Sequence, residues 1–335
     1  MPAEWEPQSA IWLAWPHNRE TWPGDALAAV QRGYAEWMRA LLPDQAVELL
    51  VSGEHADSAR AALARSGVDP GRVCLRSIAT CDAWIRDYGP TFLVNRERRS
   101  LALVDWRFNA WGGKYEDLLA DDRIPRLLNE QLALPRFEPG IVLEGGSIEV
   151  NGCGSLLTTE QCLLHPNRNP GLGRAELERV LSEQLGVENV LWLGEGIAGD
   201  DTDGHVDDLA RFVAPRTLVC AYEEDPLDVN HRPLRDAYQR LSQHRDERGR
   251  PFEVVKLPMP GPIELDGERL PASYANFYIG NRCVVAPVFG HANDSAALDV
   301  LRKCFPGRRV VGIDCNAMVR GLGTLHCGSQ QQPRA

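Results

Sequence analysis

One order of elements recurs along this chain: strand, turn, strand, helix, strand. No other feature constrains the fold as much, because such a unit cannot bury its own apolar face and must stack on its neighbours. One unit runs from Ser147 to Leu193, with GSIEV, a turn at Asn151–Gly152, SLLTT, a helix around Arg174–Leu185 and NVLWL. Asn-Gly between two apolar runs is a strong hairpin signal. A second unit, Asp208 to Leu257, reads LARFV, TLVCAY, a helix around His231–Gln243 and FEVVKL. A third, Ala275 to Ile313, reads NFYI, CVVAPV, a helix around Asp294–Cys304 and RVVGI. An earlier one, Thr91 to Leu143, reads TFLV, ALVDW, a helix around Tyr115–Leu132 and GIVL. The fifth is split. AIWLAW (Ala10–Trp15), a helix over Ala26–Leu42 and VELLV (Val47–Val51) lack a first strand, which the C-terminal segment near Gly323–Gly328 would supply. Joining the two ends in this way closes a ring, and the absence of any linker or low-complexity tract favours one closed domain over residues 1–335, with a loose polar tail from about Gln330 to Ala335.

A ring of equivalent units brings equivalent positions to its axis. Just ahead of the units' first strands stand Asp87, Glu144, the pair His205 and Asp207, Ser273 with Asn276, and Cys327 at the closing strand. Two carboxylates, a His–Asp pair and a cysteine are thereby expected in one pocket.

Composition narrows the chemistry. The net charge is −11, so the basic footprint of a nucleic-acid binder is missing. An acidic surface can steer a small cation to a cleft, although plain solubility explains the charge equally simply. Nine cysteines, an odd number without a CxxC pair, speak against a secreted disulfide framework and for a reducing compartment; the expected location is cytoplasmic. Met1–Trp15 has no basic n-region, and no apolar run approaches the ~18 residues of a membrane span.

Four segments carry chemistry. In GLGTLHCGSQQQ, the glycines imply close approach of the backbone to something beside Cys327, and Cys327 reads as a nucleophilic thiolate that needs a positive neighbour. His326 would point to the opposite face of a strand and is a poor base for it. In GDDTDGHVDDLARF, His205 and Asp207 stand at i and i+2 and would share one strand face, His205 as general acid and base. In CDAWIRDYGPTF, Asp87 precedes a Gly-Pro turn, and Trp84 is placed to wall the pocket or stack on a cation. A guanidinium presents paired planar donors, for which two carboxylates such as Asp87 and Asp207 are the natural receptor. In VLEGGSIEV, Glu144 is placed to hydrogen-bond His205. DWRFNAWGG, with Trp111, would wall the pocket, and Asp200, Asp201 and Asp203 are candidates for a distal ammonium. Closely spaced ligand pairs for zinc are missing, as are GxGxxG and GxxxxGK[ST], so no metal or nucleotide cofactor is expected.

At these residues the chain resembles the agmatine deiminase and bacterial-type peptidylarginine deiminase family of guanidine-modifying enzymes. The matching segments are MPAEWEPQSAIWLAWP, DAWIRDYGPTF, DWRFNAWGG, VLEGGSIEVNG, LLTTEQCLLHPNRNP, DGHVDDLARFV, ASYANFYIGN and HCGSQQQP, collinear over almost the whole length. The resemblance implies a five-bladed α/β propeller of ββαβ repeats, without metal or cofactor. It implies Cys327 as nucleophile, His205 as general acid/base, Asp87 and Asp207 as guanidinium-binding carboxylates and Glu144 as the carboxylate near the histidine. Tyr88 and GLGTLHC depart from the agmatine deiminase pattern, which has Thr after the motif's Asp and reads GGGNIHC. The expected substrate is thus a small cationic guanidine, agmatine first, with peptidyl-arginine or free arginine as alternatives. A homodimer is compatible with the resemblance. An amidinotransferase, a catalytically dead binding protein on the same ring and a Cys–His peptidase are the further alternatives.

Overall fold

The computed structural model describes residues 1–335. Five sheets repeat one local topology, in which the first strand lies antiparallel to the second and the second parallel to the third. Their strands are Thr91–Asn95, Ser100–Val104 and Arg136–Phe137; Glu149–Val150, Ser155–Thr159 and Asn189–Leu193; Ala210–Ala214, Thr217–Tyr222 and Glu253–Pro258; and Tyr278–Ile279, Cys283–Val288 and Arg309–Asp314. The remaining sheet orders Ser329–Pro333, Gln8–Ala14, Ala46–Val51 and Val73–Ser77, and so joins the two ends of the chain. A separate hairpin pairs Glu264–Leu265 with Glu268–Arg269. Each sheet is open; none closes on itself.

The parallel steps are spanned by helices that cover the sheets. Ala26–Leu41 buries Val30, Tyr34, Trp37, Met38 and Leu41, a stripe at three- and four-residue spacing. Trp37 is fully buried, and its truncation to Ala would cost about 3–5 kcal/mol. His231–Gln243 buries Leu234, Ala237 and Leu241 on the same spacing.

Three expectations need correction. The closing strand is Ser329–Pro333, not Gly323–Gly328, and the polar tail is largely not loose. Gln330 is buried, Trp12 donates to the Gln332 side chain at 2.8 Å, and Arg86 donates to the Gln331 side chain at 2.7 Å. Gln331 and Gln332 each have a specific side-chain partner, which hydrophobic patterning does not register. In the unit from Thr91, the third strand is Arg136–Phe137 rather than Gly140–Leu143. Pro139 lacks an amide donor and Gly140 takes φ +77°, so the ladder breaks there and resumes only as a bridge from Arg107 to Val142. The first sheet also has a fourth strand, Val73–Ser77, reached through helix Ala56–Arg65, beyond the expected unit.

The segments leading into the five first strands meet one another. Arg86 N donates to Cys327 O at 3.1 Å, Gly146 N to the Asp87 carboxylate at 3.0 Å, and His326 N to Asn276 at 3.0–3.1 Å. Behind them lies a buried ionic layer. Arg211 binds Glu149 at 2.9 Å and Glu4 at 3.0 Å, and Arg86 binds Glu4 at 3.2 Å. Removing one partner of such a layer strands an unpaired charge, at about 3–5 kcal/mol.

Candidate active site

Gly146 marks the centre of the site. A Cβ there would lie 2.6 Å from His205 Nδ1, 2.8 Å from Asp87 Oδ1 and 3.2 Å from Asp207 Oδ2. The glycine lets three functional groups converge on a backbone that itself donates to Asp87. His205 Nδ1 and Asp87 Oδ1 stand 3.6 Å apart, both buried. His205 and Asp207 reach this corner from a 3-10 turn, Val206–Asp208, not from one strand face as their spacing had suggested; the strand begins at Ala210.

The charges are set by burial and by one another. Burial raises the Asp87 carboxyl to about 6, against the pull of the His205 cation. Burial disfavours the His205 cation, but the Asp87 charge, with Cys162 and Glu144, outweighs it and raises His205 well above its ordinary value. Asp207 moves the other way: burial is overcome by the hydrogen bond and charge of His326, so the carboxyl is lowered. His326 Nδ1 stands 2.6 Å from Asp207 Oδ2, and its Nε2 stands 2.9 Å from Glu4 Oε2.

Cys327 sits 3.8 Å from Asp207 Oδ2 and receives a hydrogen bond from Asn276 Nδ2 at 3.0 Å. Asn276 is locked in turn: it also donates to Asp208, and its oxygen accepts from Thr324 and from the His326 and Cys327 amides. Burial, then Asp207, Asp208 and Asp87, hold the Cys327 thiol well above its ordinary value. The glycines before it serve Trp84. A Cβ on Gly321 or Gly323 would come within 2.8 Å of its ring. Trp84 packs on Trp22 and forms one wall of a cavity of about 290 Å³ whose floor includes Cys327 and Asp87.

The opposite wall is strained. Ala110, Trp111, Gly112 and Gly113 take φ of +53°, +54°, +85° and +80° in succession. Two non-glycine residues in the left-handed region cost about 1–2 kcal/mol each, and such strain persists only where the surroundings impose it. Asn109 imposes it here by accepting from Gly112 N and donating to Asn167 O. The turn delivers Trp111 Nε1 to Asp87 Oδ2 at 2.9 Å.

At the mouth the three candidate aspartates separate. Asp200 ties its own turn to Thr202 and the His205 amide, and Asp203 pairs with Arg168 and Lys114. Asp201 lines the cavity, its Oδ2 held by the Tyr115 hydroxyl. Glu144 is placed beside His205 with Cys162, their ligand atoms within 4.8 Å of one another, but it makes no hydrogen bond to the imidazole. Its Oε1 instead binds Arg168 Nε at 2.7 Å. Arg168, Glu4 and Asn167 had no assigned role, although LLHPNRNP and MPAEW stood among the matching segments. Their partners are far away in sequence, and no local spacing announces them.

The buried polar atoms without a partner are Glu144 Oε2, Asp207 Oδ1 and both His205 nitrogens, among a few others. Unmatched donors and acceptors grouped around a thiol describe a receptor for a polar ligand. The group of Glu144, Cys162 and His205, and that of Asp207, Asp208 and Cys327, have donors of metal-binding type. Glu144 is already neutralised by Arg168, and Asp207 by His326, so neither group fits a resident metal.

The chain belongs to the family of Porphyromonas-type peptidyl-arginine deiminases, whose model matches residues 1–333. It is 40% identical over 356 residues to an agmatine deiminase of Stutzerimonas stutzeri, covering 99% of this chain and 95% of that one. Among solved structures it superimposes on the agmatine deiminase of Enterococcus faecalis with a TM-score of 0.92 at 35% identity, over 100% of this chain and 95% of that one. A dimethylarginine dimethylaminohydrolase adduct shares the fold alone, at TM-score 0.54 and 14% identity, over 97% of this chain and 99% of that one. No helix is long and apolar enough to cross a membrane.

Proposed function

We propose that this chain is a hydrolase that converts agmatine and water to N-carbamoylputrescine and ammonia. The observation that carries the reading is the set of unpartnered buried atoms, Asp207 Oδ1 and the His205 nitrogens, around Cys327 at the floor of the cavity. Relatives named agmatine deiminase, matched end to end, support the choice of guanidine.

Asp87 and Asp207 grip the guanidinium N–H groups. Their charges, which held the thiol protonated, are neutralised by the bound cation, so Cys327 releases its proton to solvent as the substrate arrives. The thiolate attacks the guanidinium carbon. His205 donates its proton to the departing nitrogen, and the C–N bond breaks to leave ammonia and an amidino-thioether. Water then gives one proton to His205 and its oxygen to the carbon, and the C–S bond breaks as the second water proton passes to the departing sulfur, releasing the ureido product and the Cys327 thiol. Glu144, anchored by Arg168, lends negative charge beside His205 and keeps the imidazolium stable enough to wait for the leaving group. Trp84 and Trp111 wall the cavity, and Asp201 takes the distal ammonium. The five alike sheets are read as blades of a five-bladed α/β propeller forming a single catalytic domain. A core of 77 buried apolar residues that includes strands of every sheet supports one folding unit.

The test is an assay for ammonia and ureido product with agmatine, arginine and an arginyl peptide, on wild type and Cys327→Ala. Agmatine turnover abolished in Cys327→Ala is expected. Preference for arginine or the peptide would reassign the substrate, and silence on all three would remove the enzymatic reading.

A further inference from the structure

We infer that His326 and Glu4 form a positioning pair that keeps Asp207 ionised and turned toward the substrate, so that the N-terminal segment is a working part of the active site. The inference rests on the reading of Asp207 as a guanidinium-binding carboxylate.

Both His326 nitrogens face carboxylate oxygens, Asp207 Oδ2 at 2.6 Å and Glu4 Oε2 at 2.9 Å. An ionised carboxylate only accepts, so both nitrogens donate and the ring is an imidazolium. His326 and Asp207 are within 1% of full burial, and Glu4 is 4% exposed. The second carboxylate is anchored independently: Glu4 also receives Arg86, Arg211 and the Ile279 amide. Glu149 faces the same layer through Arg211. Three cations, Arg86, Arg211 and His326, thus match three anions, Glu4, Glu149 and Asp207. On its other side Asp207 meets Cys327, Asp208, Asp87 and His205. Three of those four groups are acids, and without a fixed cation behind it Asp207 would hold a proton. With Oδ2 committed to His326, Oδ1 is left unpartnered and free for the ligand. The lowered Asp207 carboxyl agrees with this geometry. His326 follows Leu325 and precedes Cys327, so the sequence neighbour that faces away from the thiol is the one that reaches the carboxylate behind it.

The first test needs no substrate. Nitrogen-15 spectra of histidine-labelled wild-type protein at pH 7–8 are expected to show His326, assigned by its absence in His326→Gln or by through-bond connectivity, with both ring nitrogens protonated. A neutral tautomer there overturns the inference, whatever the chain turns over. The second test is kinetic. His326→Gln is expected to lower kcat/KM for agmatine by about 10- to 100-fold at neutral pH. It should also displace the acid limb of the profile upward, with activity returning as pH rises and Asp207 ionises. The charge-matched double variant Glu4→Gln/His326→Gln is expected to melt higher than His326→Gln yet keep the displaced limb. A limb at the wild-type position in either variant overturns the inference.

Discussion

Gly146→Ala separates the site from the fold. Gly146 lies outside the left-handed region, so alanine suits its backbone. The three nearest atoms to the new Cβ belong to His205, Asp87 and Asp207. The new Cβ would sit 2.6 Å from His205 Nδ1, and ordinary contact begins at 3.4 Å, so His205 must retreat by about 0.8 Å while Asp87 gives way by a similar amount. His205 is 1% exposed, so its retreat must be taken up by buried neighbours. Overpacking of this kind costs about 1–3 kcal/mol of stability, a loss of a few degrees in Tm. The catalytic loss is expected to be larger, because misplacing a reacting group by ~1 Å costs on the order of 100-fold, or about 2.7 kcal/mol in the barrier. Steady-state kinetics on agmatine, beside thermal melts and Gly307→Ala as a control with nothing near its Cβ, measure both quantities. A kcat/KM within threefold of wild type would refute the convergence of His205, Asp87 and Asp207 on this corner.

Three further outcomes are expected. With Asp87 raised to about 6, kcat/KM should be full above that pH and fall as pH drops through it, since only the ionised carboxyl takes the guanidinium. Trp111→Phe removes a hydrogen bond that favours the charged form, so the limb should move upward; a limb unmoved in Trp111→Phe contradicts the assignment to Asp87. Because acids hold the Cys327 thiol protonated, a haloacetamidine, which is cationic, should label Cys327 at pH 7 at least about tenfold faster than neutral iodoacetamide. Peptide-level mass spectrometry is needed to set aside the exposed Cys74 and Cys153, and equal rates would count against substrate-assisted deprotonation. Asp201→Asn should raise KM for agmatine about fivefold and leave butylguanidine unchanged, as read by parallel saturation curves; equal effects on both would take Asp201 off the distal ammonium.

The parts of the fold that the sequence announced were the ones written in local patterns. Helices at Arg174–Leu185, His231–Gln243 and Asp294–Cys304 lie where three- and four-residue apolar spacing put them, and the central strands TLVCAY and CVVAPV are largely apolar runs, while SLLTT follows the Asn-Gly turn signal. The pairing of the two chain ends was legible because one unit lacked a strand. Its register was not. Gln330–Gln332 are polar, and the side chains of Gln331 and Gln332 are held by Arg86 and Trp12, partners hundreds of residues away. Hydrophobic periodicity has no way to register a strand whose buried faces are satisfied by hydrogen bonds.

The site divides along the same line. Asp87, Glu144, His205, Asp207 and Cys327 were legible because each stands at the entry to a strand, and repeats superpose their entries. Their partners were not, because a residue that supports another can come from any part of the chain. Tyr88 makes the point from the opposite direction. Its place beside Asp87 marked it as a departure near the substrate, yet its hydroxyl donates to Asp82 O and its ring packs on Phe108, behind the cavity wall. The Gly-Leu-Gly-Thr run likewise spends its glycines on the Trp84 ring and its threonine on Asn276. Tyr88 lies outside the cavity lining, whereas Gly321, Leu322 and Gly323 line it, so of the two departures only the second borders the volume a guanidine and its alkyl tail would fill. Asp201, Trp84 and Trp111 line the same cavity, so a longer or carboxylated guanidine would be tested against an acidic mouth. A substrate carboxylate there would face Asp201 and the buried Asp82 without a matched cation other than Arg320 at the rim. Like-charge contact of this kind costs more than a missing attraction, and a diamine-like tail would not meet it.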